Sequence, residues 1–321
     1  MLRDHPIEIF ALGASREYGQ RVAERLGVPL GPVEEREFED GEHKVRPLVD
    51  VRGRHAVAIH ALYGDPQQSA NDKLCRLLFF VGALKESGAA RVSVVAPYLC
   101  YARKDRQTKP RDPVTTKYVA RLFEAVGADS LLTLDVHNLA AFQNAFRCET
   151  VHVEAEPLFV EHFAPQLRGE AVTVISPDVG GTKRAEAFRR ALAARIDQEP
   201  RSGFMEKQRS GGIVSGDTLI GEVRDRVVVI LDDMISSGTT LQRAAAACRR
   251  AGAARVHATA THGLFTANWR ETLGDPAIDS LTVVDTIPAS RVADSPVARK
   301  LTVLDSTGLV AAAISPQTRT A

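Results

Sequence analysis

Two adjacent carboxylates, Asp232 and Asp233, stand in the stretch VVVILDDMISSGTTL from Val227 to Leu241, where an apolar β-branched run gives way to acid and then to small hydroxyl residues. Ser236, Ser237, Gly238, Thr239 and Thr240 would leave backbone amides uncovered at a helix N-terminus, and the partial positive charge there suits a phosphate. The aspartates cannot bind that anion themselves, because like charges repel. Their chemistry is with sugar hydroxyls or with a metal ion. Taken alone, the turn also fits a strand ending in an Asx turn with a Ser/Thr cap.

Other groups fit the same theme. The run YLCYARKDRQTKPRDP from Tyr98 to Pro113 sets Arg103, Lys104, Arg106, Lys109 and Arg111 against only Asp105 and Asp112. Such a run is a solvated face or, where it leaves the carboxyl end of a parallel strand, a loop for an anionic ligand. Asp135 and His137 follow the apolar run Ser130 to Leu134, and His137 there is a structural, hydrogen-bonding or metal-binding group. In SPDVGGTKR, Asp178 again ends a strand, and Gly180 and Gly181 permit close backbone approach. The glycine- and serine-rich EPRSGFMEKQRSGGIVSGD reads as a mobile hairpin carrying Lys207 and Arg209. Phe38, Asp40 and Glu42 form an acidic turn with one exposed aromatic. No GxxxxGK[ST] occurs, so a nucleotide would not be held by a P-loop.

Positioning these groups calls for alternating strands and helices. Strands are expected over Ile7 to Leu12, His55 to Leu62, Val92 to Pro97, Ser130 to Leu134, Val172 to Ile175, Ser280 to Val284 and Leu301 to Leu304. Helices are expected from Ser15, as cap, to Leu26, from Asn71 through Lys85, from Thr115 to Val126, and up to Arg195. Short links between them predict parallel sheets covered by helices. The segment ALKESGAARVSVVAP around Gly88 returns as ACRRAGAARVHATAT around Gly252, and VRGRHAVAI from Val51 returns as VRDRVVVI from Val223. The expected architecture is therefore a duplicated α/β domain, with a first copy over 1–149 and a second over 150–321. Where the second copy has DDMISSGTT, the first has YGDPQQSAND, so only the second keeps the acidic phosphate loop.

The 321 residues suffice for two cores. Lys+Arg 41 against Asp+Glu 40 leaves a net charge of +1, which gives no global field for nucleic acid or an anionic membrane. No apolar run reaches membrane-spanning length and the charged start is unlike a signal peptide, so the expected compartment is the cytosol. Cys75, Cys100, Cys148 and Cys248 lack CxxC spacing, which makes buried thiols the expectation.

FEDGE at Phe38, YARKDRQTKPRDPVTTK at Tyr101, LDVH at His137, SPDVGGTKR at Asp178, MEKQR at Lys207 and VVVILDDMISSGTT at Asp232 occur in one order. With them the chain resembles the ribose-phosphate pyrophosphokinase (phosphoribosyl pyrophosphate synthetase) family over nearly its whole length. The resemblance implies two similar phosphoribosyltransferase-like α/β domains and transfer of the β,γ-diphosphoryl group of ATP to the anomeric hydroxyl of ribose 5-phosphate, leaving AMP. It implies Asp232 and Asp233 on the ribose hydroxyls, Ser236 to Thr240 around the 5-phosphate, and Mg2+ beside His137 and Asp178. Lys207 and Arg209 would carry transition-state charge, and Arg103, Asp105 and Arg111 would sit near ATP. Phe38, Asp40 and Glu42 resemble an adenine-contacting loop supplied by a neighbouring subunit, which implies a homo-oligomer with a shared active site. The chain departs from the family pattern at Ser236 (usually an acid), Ser237 (a threonine), Lys104 (a glutamine) and Thr108 (an acid). Lys104 thereby adds charge near the presumed triphosphate. The segment between His137 and Ala155 is one residue longer than in familiar members, so regulation by phosphate or ADP does not transfer. The competing readings are a non-catalytic regulatory homologue and a phosphoribosyltransferase, which shares the DD loop and needs only one such domain.

Overall fold

Runs such as HAVAI and SLLTL are apolar at consecutive positions, the pattern of strands covered on both faces of a parallel sheet, and both are buried along their full length. The structure is a computed structural model that describes residues 5–210 and 213–315, without the side chains of 207–217. The described parts of Met1–Val153 and Ser306–Ala321 form one compact unit, and Glu154–Asp305 forms the other. The sequence drew the boundary at 149/150 and assigned the C-terminal segment to the second copy.

In the first unit the order is β1 (Ile7–Ala11), α1 (Arg16–Leu26), β2 (Val33–Glu37), β3 (His43–Pro47), β4 (His55–Ile59), α2 (Ala70–Glu86), β5 (Arg91–Ala96), α3 (Thr115–Ala125), β6 (Ser130–Leu134), α4 (Leu139–Ala145) and β7 (Glu149–Val153). In the second unit it is α5 (Glu156–Leu167), β8 (Val172–Ser176), α6 (Thr182–Ile196), β9 (Arg201–Ser210), β10 (Ile213–Ile220), β11 (Val227–Ile235), α7 (Thr239–Arg250), β12 (Arg255–Gly263), α8 (Trp269–Gly274), β13 (Ser280–Val284) and β14 (Leu301–Leu304). A last helix, α9 (Thr307–Ile314), returns to the first unit.

The first sheet runs β1-β4-β5-β6-β7, parallel throughout. The second contains β8-β11-β12-β13-β14, also parallel. The sequence echoes lead into β4 and β11, and into β5 and β12, so the two five-strand orders correspond position for position. They differ in the hairpin after the first helix. The β2–β3 hairpin pairs only with itself, whereas β9 adds parallel to β8 and carries β10 antiparallel at the sheet edge.

Each sheet is covered on both faces. In the first unit Phe10, Leu77, Phe80, Leu84 and Phe123 fill one side, with the Phe10 and Phe80 rings edge-on at 5.4 Å. Val22, Ile59, Val310 and Ile314 fill the other, which places α9 in this core. Tyr18 Oη and Ser306 Oγ hydrogen-bond at 2.8 Å and Arg25 Nε donates to Thr307 Oγ1 at 2.7 Å, so α1 holds the returning helix. In the second unit, Leu241, Cys248, Trp269 and Leu273 pack on one face and Phe159, Phe163, Phe188 and Leu192 on the other. Burial of each such side chain is worth about 1.5–3 kcal/mol.

Three local expectations change. Ser15 stands at the N-cap of α1 as expected, but its side chain makes no capping bond; its Oγ accepts from Ala61 N at 2.9 Å and lies 3.2 Å from His60 Nδ1. Strand β11 continues through both aspartates to Ile235. Cys75 is exposed and Cys148 partly so; burial pushes the thiols of Cys100 and Cys248 up to about 12. Among the described residues no helix is long and apolar enough to cross a membrane.

Candidate active site

Strand β11 lies between β8 and β12, so its carboxyl end delivers Asp232 and Asp233 beside the turn that follows β8. Asp233 is buried at 5% exposure and Asp232 half-buried, with Asp233 N donating to Asp232 Oδ1 at 2.8 Å. Burial first, then the negative charge of Asp233 and in smaller part that of Asp178, raise the Asp232 carboxyl well above the usual carboxylate range. Asp232, Asp233 and Asp178 thus gather acidic groups at this edge of the sheet. Groups that suit them are sugar hydroxyls or a divalent cation, the two partners inferred from the sequence.

Asp178 sits in the turn between β8 and α6. Its Oδ1 accepts from Gly181 N at 2.9 Å, and Ser176 Oγ donates to its carbonyl at 2.6 Å. A Cβ on Gly181 would stand 2.7 Å from Ser176 Oγ, which explains the glycine. An Asp carboxylate with hard oxygen donors beside an electron-rich edge suits Mg2+. No group of three or more His, Cys, Asp or Glu that could hold a metal occurs among the described residues, and Mg2+ needs none, since it is commonly held by one or two carboxylates with substrate phosphates.

After β11 the loop Ser236–Gly238 turns into α7. Gly238 takes φ +81°, and a Cβ there would lie 2.6 Å from Leu273 Cδ2, so both the dihedral and the packing demand glycine. Among the described residues no side chain caps helix α7; Ser237 Oγ stands 3.5 Å from Thr239 N, the far limit of a hydrogen bond. The first-turn amides of a helix have no intrahelical acceptor. An anion from outside is their natural partner.

The equivalent helix of the first unit is closed. Ser69 and Asp72 form a capping box on α2, with Ser69 Oγ accepting from Asp72 N and Asp72 Oδ2 accepting from Ser69 N at 2.8 Å. Asp65 accepts from Gln67 N and Gln68 N and pairs with the fully buried Lys73, which also lies over the Tyr63 ring at 3.4 Å. The chain's own carboxylates therefore occupy the place that an external anion would take. The two copies have diverged at this loop, as the sequence comparison expected.

The other expected residues of the first unit are on loops. Phe38, Asp40 and Glu42 form the tip of the β2–β3 hairpin, exposed, with Arg36 over the Phe38 ring at 5.0 Å and Glu42 N bonded to Asp40 Oδ1 at 3.1 Å. Arg103 and Arg111 are exposed on the loop after β5. Asp105 Oδ2 accepts from Asn138 Nδ2 at 2.6 Å, which ties this loop to the one after β6 that carries exposed His137. Lys104 pairs with Asp112 at 2.9 Å. Thr108 Oγ1 donates to the same carboxylate at 2.7 Å, and Thr108 first and Lys104 second hold Asp112 far below its ordinary value. Both departures from the family pattern thus serve the loop's internal latch. Lys207 and Arg209 lie on β9, paired in register with Asp217 and Val214; their side chains lie outside the described residues.

Sequence reasoning assigned no role to the segment after β12. Thr266 N donates to Ser236 O at 2.9 Å, Ser236 Oγ and Thr266 Oγ1 are 2.8 Å apart, and Thr272 Oγ1 donates to Ser237 O. These pairs span thirty residues or more and leave no periodic trace.

Residues 7–127 match the family model described as the N-terminal domain of ribose phosphate pyrophosphokinase, and residues 212–318 match the phosphoribosyl synthetase-associated domain. A ribose-phosphate pyrophosphokinase of Ureaplasma parvum is 36% identical over 293 residues, covering 89% of this chain and 86% of the relative. Ribose-phosphate pyrophosphokinase 1 of Streptococcus agalactiae is 35% identical, covering 90% and 88%. Among solved structures, phosphoribosylpyrophosphate synthetase from Mycobacterium smegmatis superposes with a TM-score of 0.84 at 28% identity, covering 95% of this chain and 96% of that one.

Proposed function

The chain belongs to the ribose-phosphate pyrophosphokinase family and is an enzyme of that class, and from that premise we propose that it moves the β,γ-diphosphoryl group of ATP to the anomeric hydroxyl of ribose 5-phosphate. The anomeric oxygen loses its proton and bonds to the β-phosphorus, the bond from that phosphorus to the oxygen bridging to the α-phosphate breaks, and AMP leaves with that oxygen. The observation that carries the reading is the contrast between α2, capped by its own Asp72, and α7, whose N-terminus is left for an external anion beside two acidic side chains.

In this account the amides and hydroxyls of Ser236 to Thr240 receive the 5-phosphate, and Asp232 and Asp233 accept from the ribose hydroxyls. Fixing the sugar at both ends orients the anomeric oxygen for in-line attack, and such positioning supplies much of the rate in phosphoryl transfer. Asp178 and His137 are the residues that would hold Mg2+, which when bound neutralises charge on phosphate oxygens. Arg103, Asp105 and Arg111 sit near ATP, with Phe38, Asp40 and Glu42 on the adenine of a neighbouring subunit in a homo-oligomer. Lys207 and Arg209 supply positive charge to the diphosphoryl group as it transfers. Incubation with ATP, Mg2+ and ribose 5-phosphate should release AMP in proportion to the sugar added. AMP release that is absent, or independent of the sugar, would sink the proposal.

A further inference from the structure

We propose that the segment running from the end of β12 through α8 is a brace that aims the peptide N–H groups of the phosphate loop, with Thr266 and Thr272 as positioning residues. This deepens the reading of that loop as the ribose 5-phosphate site and rests on it. The brace grips the loop by its acceptors. Leu264 N and Phe265 N both donate to Ile235 O, at 2.9 and 3.2 Å, Thr266 N donates to Ser236 O at 2.9 Å while the Thr266 hydroxyl bonds the Ser236 hydroxyl at 2.8 Å, and the Thr272 hydroxyl donates to Ser237 O.

In a trans peptide the C=O of one residue and the N–H of the next point in opposite directions. Drawing the Ser236 and Ser237 carbonyls toward the brace therefore turns the N–H groups of Ser237 and Gly238 away from it. The first-turn amides of α7 follow directly in the chain. Successive N–H groups converging in this way make an anion-binding concavity, and it is the far-side acceptors that fix their direction.

The backbone of the brace is held out of its relaxed state. Phe265 and Ala267, on either side of Thr266, take φ +48° and +54°, left-handed values that non-glycine residues rarely adopt. Such strain persists only where the surroundings over-determine it. The surroundings do: Arg291 Nη1 donates to Leu264 O at 2.8 Å, the Phe265 ring packs 5.5 Å from that of Trp269, and Leu273 fills the space that a Gly238 Cβ would need. Gln242 Nε2 on α7 donates to Asp275 Oδ2 at 2.8 Å, which closes the far end of the clamp.

The test uses the full-length protein with Thr266→Val and Thr272→Val, which keep side-chain shape and remove the hydroxyl, and Thr266→Ser and Thr272→Ser, which restore it. Calorimetric titration with ribose 5-phosphate should show each valine variant binding roughly five- to tenfold more weakly, the effect of about one hydrogen bond. The KM for ribose 5-phosphate should rise in step while kcat stays within about twofold, and the serine variants should recover most of the loss. Wild-type protein that binds no ribose 5-phosphate overturns the functional reading, and this role with it. A wild type that binds, with valine variants that bind equally well or lose only melting temperature, overturns the brace alone.

Discussion

Gly238→Ala puts the phosphate loop under the most specific strain the structure offers. The residue sits at φ +81°, ψ −5°, where an L side chain costs about 1–2 kcal/mol. Its new Cβ would stand 2.6 and 2.8 Å from Leu273 Cδ2 and Cγ, a clash with a fully buried leucine. Overpacking of this kind costs about 1–3 kcal/mol. The sum, about 2–5 kcal/mol, must appear either as lost stability or as a loop displaced from its anion-binding shape. Gly27 provides the control: it also has positive φ, at +69°, but a Cβ there meets nothing within 4 Å. Gly27→Ala should cost only the backbone penalty of about 1–2 kcal/mol and leave ligand binding untouched. Titration with ribose 5-phosphate and thermal melts of both variants, together with Gly238→Ala/Leu273→Ala, read out the two components. The double variant should recover part of the affinity, with a coupling of about 1–3 kcal/mol between the sites. Gly238→Ala binding ribose 5-phosphate as tightly as wild type and melting within about a degree of it would refute the reasoning, since about 2 kcal/mol is worth several degrees in a domain of this size.

Other consequences can be checked independently. Asp232→Asn should abolish turnover yet raise the melting temperature at neutral pH. The Asp232 carboxyl is raised in the fold, so the native state holds a proton that the unfolded chain has released above the ordinary value of 3.8; stability falls as pH rises through that window, and the asparagine should remove the slope. His60 has the opposite sign: burial first, then Lys73, push it down to about 3, so the unfolded chain takes up a proton below 6.5 that the native state refuses. Stability should drop by about 2 kcal/mol between pH 6.5 and pH 5, and His60→Gln should flatten that drop in denaturant titrations. Lys207→Ala should lower turnover at least about a hundredfold, comparable to losing one donor to a transition-state oxyanion, with little change in ribose 5-phosphate affinity; an unchanged rate removes the role given to β9.

Much of the site could be read from the chain because its parts are local. The strand, the acidic pair and the loop of VVVILDDMISSGTTL are consecutive, and each carries its own signal of β-branching, charge or small size. Strands β6, β13 and β14 likewise fall where their apolar runs place them, at Ser130–Leu134, Ser280–Val284 and Leu301–Leu304. What could not be read depends on distant partners. Helix α9 belongs to the first unit through bonds from Tyr18 and Arg25 to residues almost three hundred positions away. Ser15 has the type of a helix cap, but its hydroxyl is taken by Ala61 N and faces His60. Helix α5 contains Pro165 and opens on Pro157, so its pattern reads poorly although Phe159 and Phe163 anchor it in the core. Which basic residue of that run Asp112 pairs with is settled only once the loop has folded, and it is Lys104. The Thr266 brace was illegible for the same reason: its sequence has neither periodicity nor a turn motif, and its geometry exists only against Ser236.

The central claim is that the diphosphoryl group moves as one unit onto the sugar. With ATP labelled in both the β- and γ-phosphates, Mg2+ and ribose 5-phosphate, product analysis by mass spectrometry should find both labels together on carbon 1 of the sugar, with one AMP formed for each. A single labelled phosphate on the sugar with ADP released, or diphosphate released only when a nucleobase is added, would contradict it.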